Sequence, residues 1–356
     1  MTRKWGEKSS REQRAVIKWP LLIVACLLFV AMLLLLSGQR NRLRGAWFSA
    51  LHSVVYRLRS LSDGDQTKFP SPYVPPTANA WHGIRSVSDD DMRIVADSLG
   101  GTVIAVGVGT QSADQISARL DLAHSLGYRV IVVMYTKENC SGRPWEWNGS
   151  EWVFPTSAIE RLHGIAHHPA LFAIYALHEP FDYTNECHWT VEQQQDLYQL
   201  LKAYSDGAPV WSDMGTLAGW EERGMELTDG ICDYCGTFHH RFRTDWSSER
   251  SLEETLSTID ADLDTQQRLM PHSQAVFQMQ TFSYTADGYS LRLPTPKELM
   301  TVRDHLCNLH QPMLYYPWSH GSYDQALKDA PHLWSVVARG CIRTAYLPII
   351  EARADR

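Results

Sequence analysis

From residue 81 onward, short apolar runs of strand type alternate with amphipathic stretches that open on helix-capping residues. The runs at 83–87, 102–108, 129–135, 171–177, 209–212, 230–234, 275–280 and 312–316 are mostly Val, Ile, Leu and aromatic residues. Short runs of this kind, alternating with capped stretches, predict strands alternating with helices. The intervening segments carry start and stop signals. Ser88 precedes Asp89, Asp90 and Asp91, and acids in a first turn complement the positive helix end. Ser112/Gln115, Thr190/Gln193, Ser251/Glu254, Thr295/Glu298 and Ser322/Gln325 have capping-box spacing. Pro296 suits a first helical position and Gly127 a helix stop. Eight strand–helix units in about 265 residues predict a (β/α)8 TIM barrel. An open doubly wound sheet would need a glycine-rich phosphate loop after its first strand, and Ile84-Arg85-Ser86-Val87-Ser88 has none. Gly107-Val108-Gly109 lacks the third glycine of that fingerprint.

The amino-terminal part has a different pattern. Residues 21–36 are sixteen consecutive apolar residues, and their flanks extend the run to about twenty, or ~30 Å as a helix, which matches a bilayer core. Six Lys/Arg precede the run and three come closely after it, so the amino terminus is expected in the cytoplasm. A cleaved signal peptide is the competing reading. The run exceeds a usual signal core and no small-x-small site comes after it, which favours an uncleaved anchor. The Cys26 box lies inside the run, where a lipidation signal would not. The expected organisation is a basic tail at 1–19, one transmembrane helix at 20–38, a juxtamembrane helix and Pro-rich linker at 39–80, and the barrel at 81–356.

Charge sharpens this picture. The net charge of −7 divides into +9 over residues 1–60, from eleven Lys/Arg against two acids, and −16 over residues 61–356. Nucleic-acid binders carry basic surface on the folded domain, so no nucleic-acid partner is expected. Basic residues beside an apolar segment point to a membrane partner. The barrel is then extracytoplasmic (periplasmic or cell surface), where disulfides persist, and Cys140–Cys187 and Cys307–Cys341 are plausible bridges. Cys232-x-x-Cys235 followed by His239-His240 resembles a metal set, but the second pair lies too close for zinc spacing, so free thiols on a strand are expected and no metal. His163 and His167, four residues apart, fall toward the opposite end of the barrel. No cofactor motif is present, and no Gly-x-Ser-x-Gly elbow supports a serine nucleophile.

The most informative stretch is Ala173-Ile-Tyr-Ala-Leu-His-Glu-Pro180. Proline cannot continue a central strand, so the run should end by delivering Glu179 to the mouth, where barrel enzymes keep acids and bases. The other strand ends add Arg85, Tyr135, Lys137, Glu138, His178, Asp213, Asp233, Tyr234, Gln278, Gln280, Trp318 and His320. A polar and aromatic mouth suits sugars, whose hydroxyls need planar hydrogen-bonding groups and whose C–H faces stack on rings. The chain has 13 Trp, and 144–155 reads as a hairpin turning at Asn148-Gly149. Its Trp145, Trp147 and Trp152 are either a sugar platform or the hairpin's own packing.

His178-Glu179-Pro180 resembles the Asn-Glu-Pro or Asp-Glu-Pro strand end of (β/α)8 glycoside hydrolases, where the Glu is the proton donor. Ile231-Cys-Asp-Tyr-Cys235 is similar to a Val-Asp-Tyr-Tyr strand of that group. Leu314-Tyr-Tyr-Pro-Trp-Ser319 places Trp318 where the group keeps an aromatic floor. Phe277-Gln-Met-Gln-Thr-Phe282 with Leu293-Pro-Thr-Pro-Lys-Glu298 looks like a subgroup of bacterial glycosidase-like barrels. The resemblance implies a glycoside hydrolase with Glu179 as acid; together with the expected anchor, this gives a membrane-anchored enzyme cleaving a poly- or oligosaccharide. The strand ends supply the expected substrate contacts, His178, Tyr135, Tyr234, Gln278, Gln280, Trp318 and His320, with Trp318 also implied by the resemblance. The chain departs from the group in one respect. Retaining members carry a nucleophilic Glu where this chain reads Gln278-Met279-Gln280. A second carboxylate is still needed, with Asp233 first in order, then Asp213, then Glu138. The alternatives are a non-catalytic carbohydrate-binding barrel and a structural envelope protein.

Overall fold

The computed structural model describes residues 82–134, 144–181, 188–286, 289–319 and 321–341. The segments expected as anchor, juxtamembrane helix and linker lie outside them, as do Tyr135, Lys137, Glu138, Cys140, Cys187 and His320. Among the described residues no helix is long and apolar enough to cross a membrane.

Eight parallel strands close into a barrel: β1 (His82–Arg85), β2 (Val103–Gly107), β3 (Arg129–Val133), β6 (Leu171–His178), β7 (Val210–Gly215), β8 (Tyr234–His239), β9 (Gln274–Gln280) and β12 (Met313–Tyr316). Each pairs with its neighbours in chain order, and β12 returns to β1. Helices α1 (Asp89–Leu99), α2 (Ala113–Ser125), α3 (Thr156–Ile165), α4 (Val191–Tyr204), α5 (Leu217–Glu222), α6 (Ser248–Leu269), α7 (Pro296–Asn308) and α8 (Pro331–Arg339) fill the intervals. Two hairpins interrupt the alternation, β4 (Glu146–Trp147) with β5 (Trp152–Val153) and β10 (Tyr284–Ala286) with β11 (Tyr289–Leu291).

Local chemistry starts the helices. Ser112 with Gln115, Thr190 with Gln193 and Thr295 with Glu298 form reciprocal capping boxes, and the Ser88 side chain accepts from the Asp91 N–H. Two start signals misled. Ser247 caps α6 instead, so Ser251 lies buried within that helix. Ser322 opens no helix; after a short 3-10 turn, α8 starts at Pro331.

The sheet separates two cores. Val103, Ala105, Ile131, Phe172, Ala173, Tyr175, Trp211, Tyr234, Val276 and Leu314 fill the barrel interior. A larger layer between sheet and helices includes Ile104, Val106, Leu162, Phe277, Met279, Leu299 and Trp318. Each large aliphatic side chain so buried contributes roughly 1.5–3 kcal/mol.

Cys307 and Cys341 are bonded, tying α7 to the chain beyond α8. Cys232 and Cys235 are also bonded, which corrects the expectation of free thiols. The strand expected at 230–234 begins only at Tyr234, so Cys232 lies in the irregular segment before β8 and is bonded to Cys235 at the start of that strand.

Candidate active site

The centre of the mouth is a buried polar plug. Asp213, midway along β7, is fully buried and receives hydrogen bonds on both carboxylate oxygens. Arg85 from β1 and Tyr175 from β6 donate to Oδ2. Trp211 Nε1 donates to Oδ1 at 2.8 Å and Gln278 Nε2 from β9 at 2.6 Å. Arg85 also donates to Gln278 Oε1 at 2.7 Å and lies over the Tyr175 and Tyr316 rings. Burial alone would push the Asp213 carboxyl up. The Arg85 charge and the hydrogen bonds from His178 and Tyr175 outweigh it and hold that carboxyl well below the usual carboxylate range. Gly236 on β8 is required beside this cluster, since a Cβ there would stand 2.5 Å from Asp213 Oδ1 and from Gln278 Nε2.

Above the plug stand His178 and Glu179. Their side chains are 30% and 26% exposed, with His178 Nε2 3.7 Å from Glu179 Oε2. On its other side, His178 Nδ1 lies 3.3 Å from Asp213 Oδ2 and 3.0 Å from the Tyr175 hydroxyl. Glu179 has φ 44°, a left-handed conformation uncommon for a residue with a side chain. Its N–H donates to the Asp213 carbonyl at 2.7 Å. The sharp turn before Pro180 therefore lifts the carboxyl out of the strand line.

One wall of the mouth is aromatic. His178 packs on Phe238, Phe238 stacks on His240, and His240 stacks on Tyr316 with ring centres 5.9 Å apart. Phe282 and Tyr323 continue the wall, stacked at 4.1 Å. Burial and the nearby Arg85 charge push the His240 imidazole down to about 3, so this ring is neutral and acts as a stacking surface.

The structure corrects five assignments. Asp233 precedes β8 rather than ending it, so it lies at the opposite end of the barrel from Glu179. Tyr198, Lys202 and the Val210 N–H satisfy it at 2.7–2.8 Å. Tyr234 lies inside the barrel against Phe172, and burial pushes its hydroxyl up to about 12. Trp318 is fully buried in the outer core beside Trp334, so Tyr316 takes the mouth position expected of it. Gln280 ties loops together: it accepts from the Phe242 N–H and donates to the Phe282 and Arg292 carbonyls. Gln278 is buried in the plug. The hairpin tryptophans belong to its own packing. Trp152 meets Trp147 and Trp189 and donates to the Gln193 carbonyl, while Trp145 stacks on Phe154.

Sequence reasoning placed Glu179, His178 and Arg85 at the mouth and missed Tyr175, Phe238, His240, Tyr316 and Tyr323. The missed signal for Tyr175 was its spacing of three from His178. A register shift against β7 between Tyr175 and Leu177 turns both residues inward, and such irregularities re-aim side chains near active sites.

No protein-family model matches the chain, and no curated protein matches it in sequence. Among solved structures it resembles the endoglucanase Cel5A of Pseudomonas stutzeri, with TM-score 0.50 and 12% identity over 74% of this chain and 94% of that one. Others are an endo-β-1,4-mannanase from Thermotoga petrophila (TM-score 0.48, 9%, covering 75% and 77%) and a family 17 β-1,3-glucanosyltransferase from Rhizomucor miehei (TM-score 0.44, 13%, covering 67% and 86%). The first likeness agrees with the architecture described above, a (β/α)8 barrel. Fold alone does not assign an activity.

Proposed function

We propose that the protein is a glycoside hydrolase that cleaves a poly- or oligosaccharide, with Glu179 as the general acid. The observation that carries this reading is the half-buried Glu179 carboxyl, raised at a strand end beside His178 and the aromatic wall. A glycosidic acid needs this setting: partial shielding to retain its proton, and access to a sugar stacked on rings. The barrel is proposed to be extracytoplasmic and held to the membrane by residues 20–38.

Hydrolysis needs a second carboxylate. Asp233 is excluded by its place at the far end. Asp213 is fully buried and its two oxygens already receive hydrogen bonds from Arg85, Tyr175, Trp211 and Gln278, so it holds the plug together. Glu138, in a segment outside the described residues, is the remaining member of the sequence-derived set and takes the partner role in this proposal.

Replacing Glu179 by Gln removes the transferable proton. Turnover on a panel of α- and β-linked polysaccharides is expected to fall by about 10²–10⁴-fold. A variant as fast as the parent would sink the assignment. The second reading, a carbohydrate-binding barrel without turnover, is favoured by an amide, Gln280, at the strand end where retaining relatives place their nucleophile. Glycan affinity with no product from the parent protein would select it.

A further inference from the structure

In a regular strand, neighbouring side chains point to opposite faces. His178 and Glu179 break that rule, because Glu179 enters the left-handed region immediately after the β6 irregularity. The two side chains meet at the mouth, Nε2 facing Oε2 at 3.7 Å. That is longer than a hydrogen bond and within the looseness common in ligand-free catalytic sites.

Hydrogen-bond accounting places the imidazole proton. Among the described residues Nδ1 has two polar neighbours, the Tyr175 hydroxyl at 3.0 Å and Asp213 Oδ2 at 3.3 Å. Tyr175 gives its own proton to Asp213 Oδ2. Asp213 is an ionised carboxylate against the Arg85 guanidinium and has no proton to give. Both neighbours therefore present lone pairs, and Nδ1 must carry the hydrogen. The other nitrogen of the neutral ring, Nε2, is then an acceptor, and it faces Glu179.

We infer that Asp213 and Tyr175 lock His178 in the Nδ1–H form, and that His178 Nε2 and the Glu179 carboxyl hold one proton between them. The catalytic consequence rests on the proposed role of Glu179 as acid; the tautomer and the sharing do not. In the reaction, the Glu179 O–H bond breaks, its proton joins the departing glycosidic oxygen, and that oxygen keeps the electron pair of the broken C–O bond, while a water oxygen bonds to the anomeric carbon and its proton goes to the second carboxylate. Glu179 is left a carboxylate beside His178. A proton from solvent then binds Nε2, on a side chain that is 30% exposed, and passes to Oε2. His178 is thus a positioning residue that keeps the acid loaded. Among the described residues, the titratable and charged groups around it are Asp213 on β7, Tyr175 on β6, Arg85 on β1, His240 beyond β8 and Glu179 itself; Phe238 packs on its ring.

Histidine 15N NMR on the full chain in detergent tests the tautomer directly, with the His178 signal assigned by its loss in His178→Asn. The expected result is a protonated Nδ1 and an acceptor Nε2. In Glu179→Gln the Nε2 signal is expected to change, because the group that shares its proton is gone, while the Nδ1–H form persists. An Nε2–H tautomer, or an Nε2 signal unchanged in Glu179→Gln, overturns the inference. In kinetics, His178→Asn is expected to move the alkaline limb of kcat/KM to lower pH, with KM little changed. A change in KM without any movement of that limb counts against it. A parent protein with no turnover refutes the hydrolase reading, and the NMR result then decides this inference alone.

Discussion

Two buried carboxylates of this barrel are driven in opposite directions by their surroundings. Asp213 meets a guanidinium and stays ionised. Asp262 on α6 is also fully buried, but it faces the imidazole of His239 at 3.4 Å and accepts from the Ala218 N–H. Burial pushes the Asp262 carboxyl up to about 7 and the His239 imidazole down to about 3, so near neutrality the contact is no full ion pair. The signs differ accordingly. An unfolded Asp titrates near ~3.9. The stability from Asp213 is present above that pH and is lost as pH falls toward the lower folded value. The stability from Asp262 is present below it and is lost as pH rises through about 7. Asp262→Asn does not titrate, so its stability relative to the parent should improve between pH 5 and pH 8, by roughly 1–3 kcal/mol. Urea midpoints across that range measure this, and a difference independent of pH would refute it. At this scale the chain was legible where covalent chemistry forced the outcome. Pro180 cannot extend a strand, so Glu179 had to stand at an end. It was illegible where a neighbour in space decided the role: nothing in the local sequence says that Gln280 braces three loop carbonyl and amide groups.

Element boundaries were legible to the extent that caps wrote them. The boxes at Ser112, Thr190 and Thr295 are satisfied within four residues of chain, so no tertiary context is needed to find them. Strand β8 shows the reverse case. Its sequence, Tyr-Cys-Gly-Thr-Phe-His, contains a glycine that weakens strand propensity. That glycine is there because the Asp213–Gln278 pair from neighbouring strands leaves no room for a Cβ. The strand was therefore read too early in the chain, and Asp233 and Tyr234 were carried to the wrong end with it. Element ends also carry the next prediction. Cys307 on α7 and Cys341 just past α8 are separated by 34 residues. Cross-linking a loop of that length restricts the unfolded chain by about 3–4 kcal/mol. The double replacement Cys307→Ser/Cys341→Ser should lose most of that, seen as a lower denaturant midpoint. An equal midpoint for the bridged and unbridged proteins would show that the link adds nothing to the fold.

For the whole molecule, the barrel was legible because eight units repeat one rule, a short strand run followed by a helix, with side-chain caps at Ser88, Ser112, Thr190, Ser247 and Thr295 marking five of the starts. The same reading applied to residues 1–60 gives the proposed anchor. Sixteen apolar residues with +9 on that segment against −16 on the remainder form the arrangement that keeps an amino terminus in the cytoplasm and exports the downstream domain. The bonded pairs Cys232–Cys235 and Cys307–Cys341 fit an oxidising compartment, and an extracellular polysaccharide would be reached from there. The full chain should therefore remain in the membrane pellet after alkaline carbonate extraction. Protease added outside spheroplasts should digest the barrel, leaving a short amino-terminal fragment protected. Release of intact protein by carbonate would remove the anchor from this account. A barrel protected until the membrane is opened would invert the topology and separate the site from any external glycan, leaving Glu179 to act on a cytoplasmic sugar if it acts on one at all.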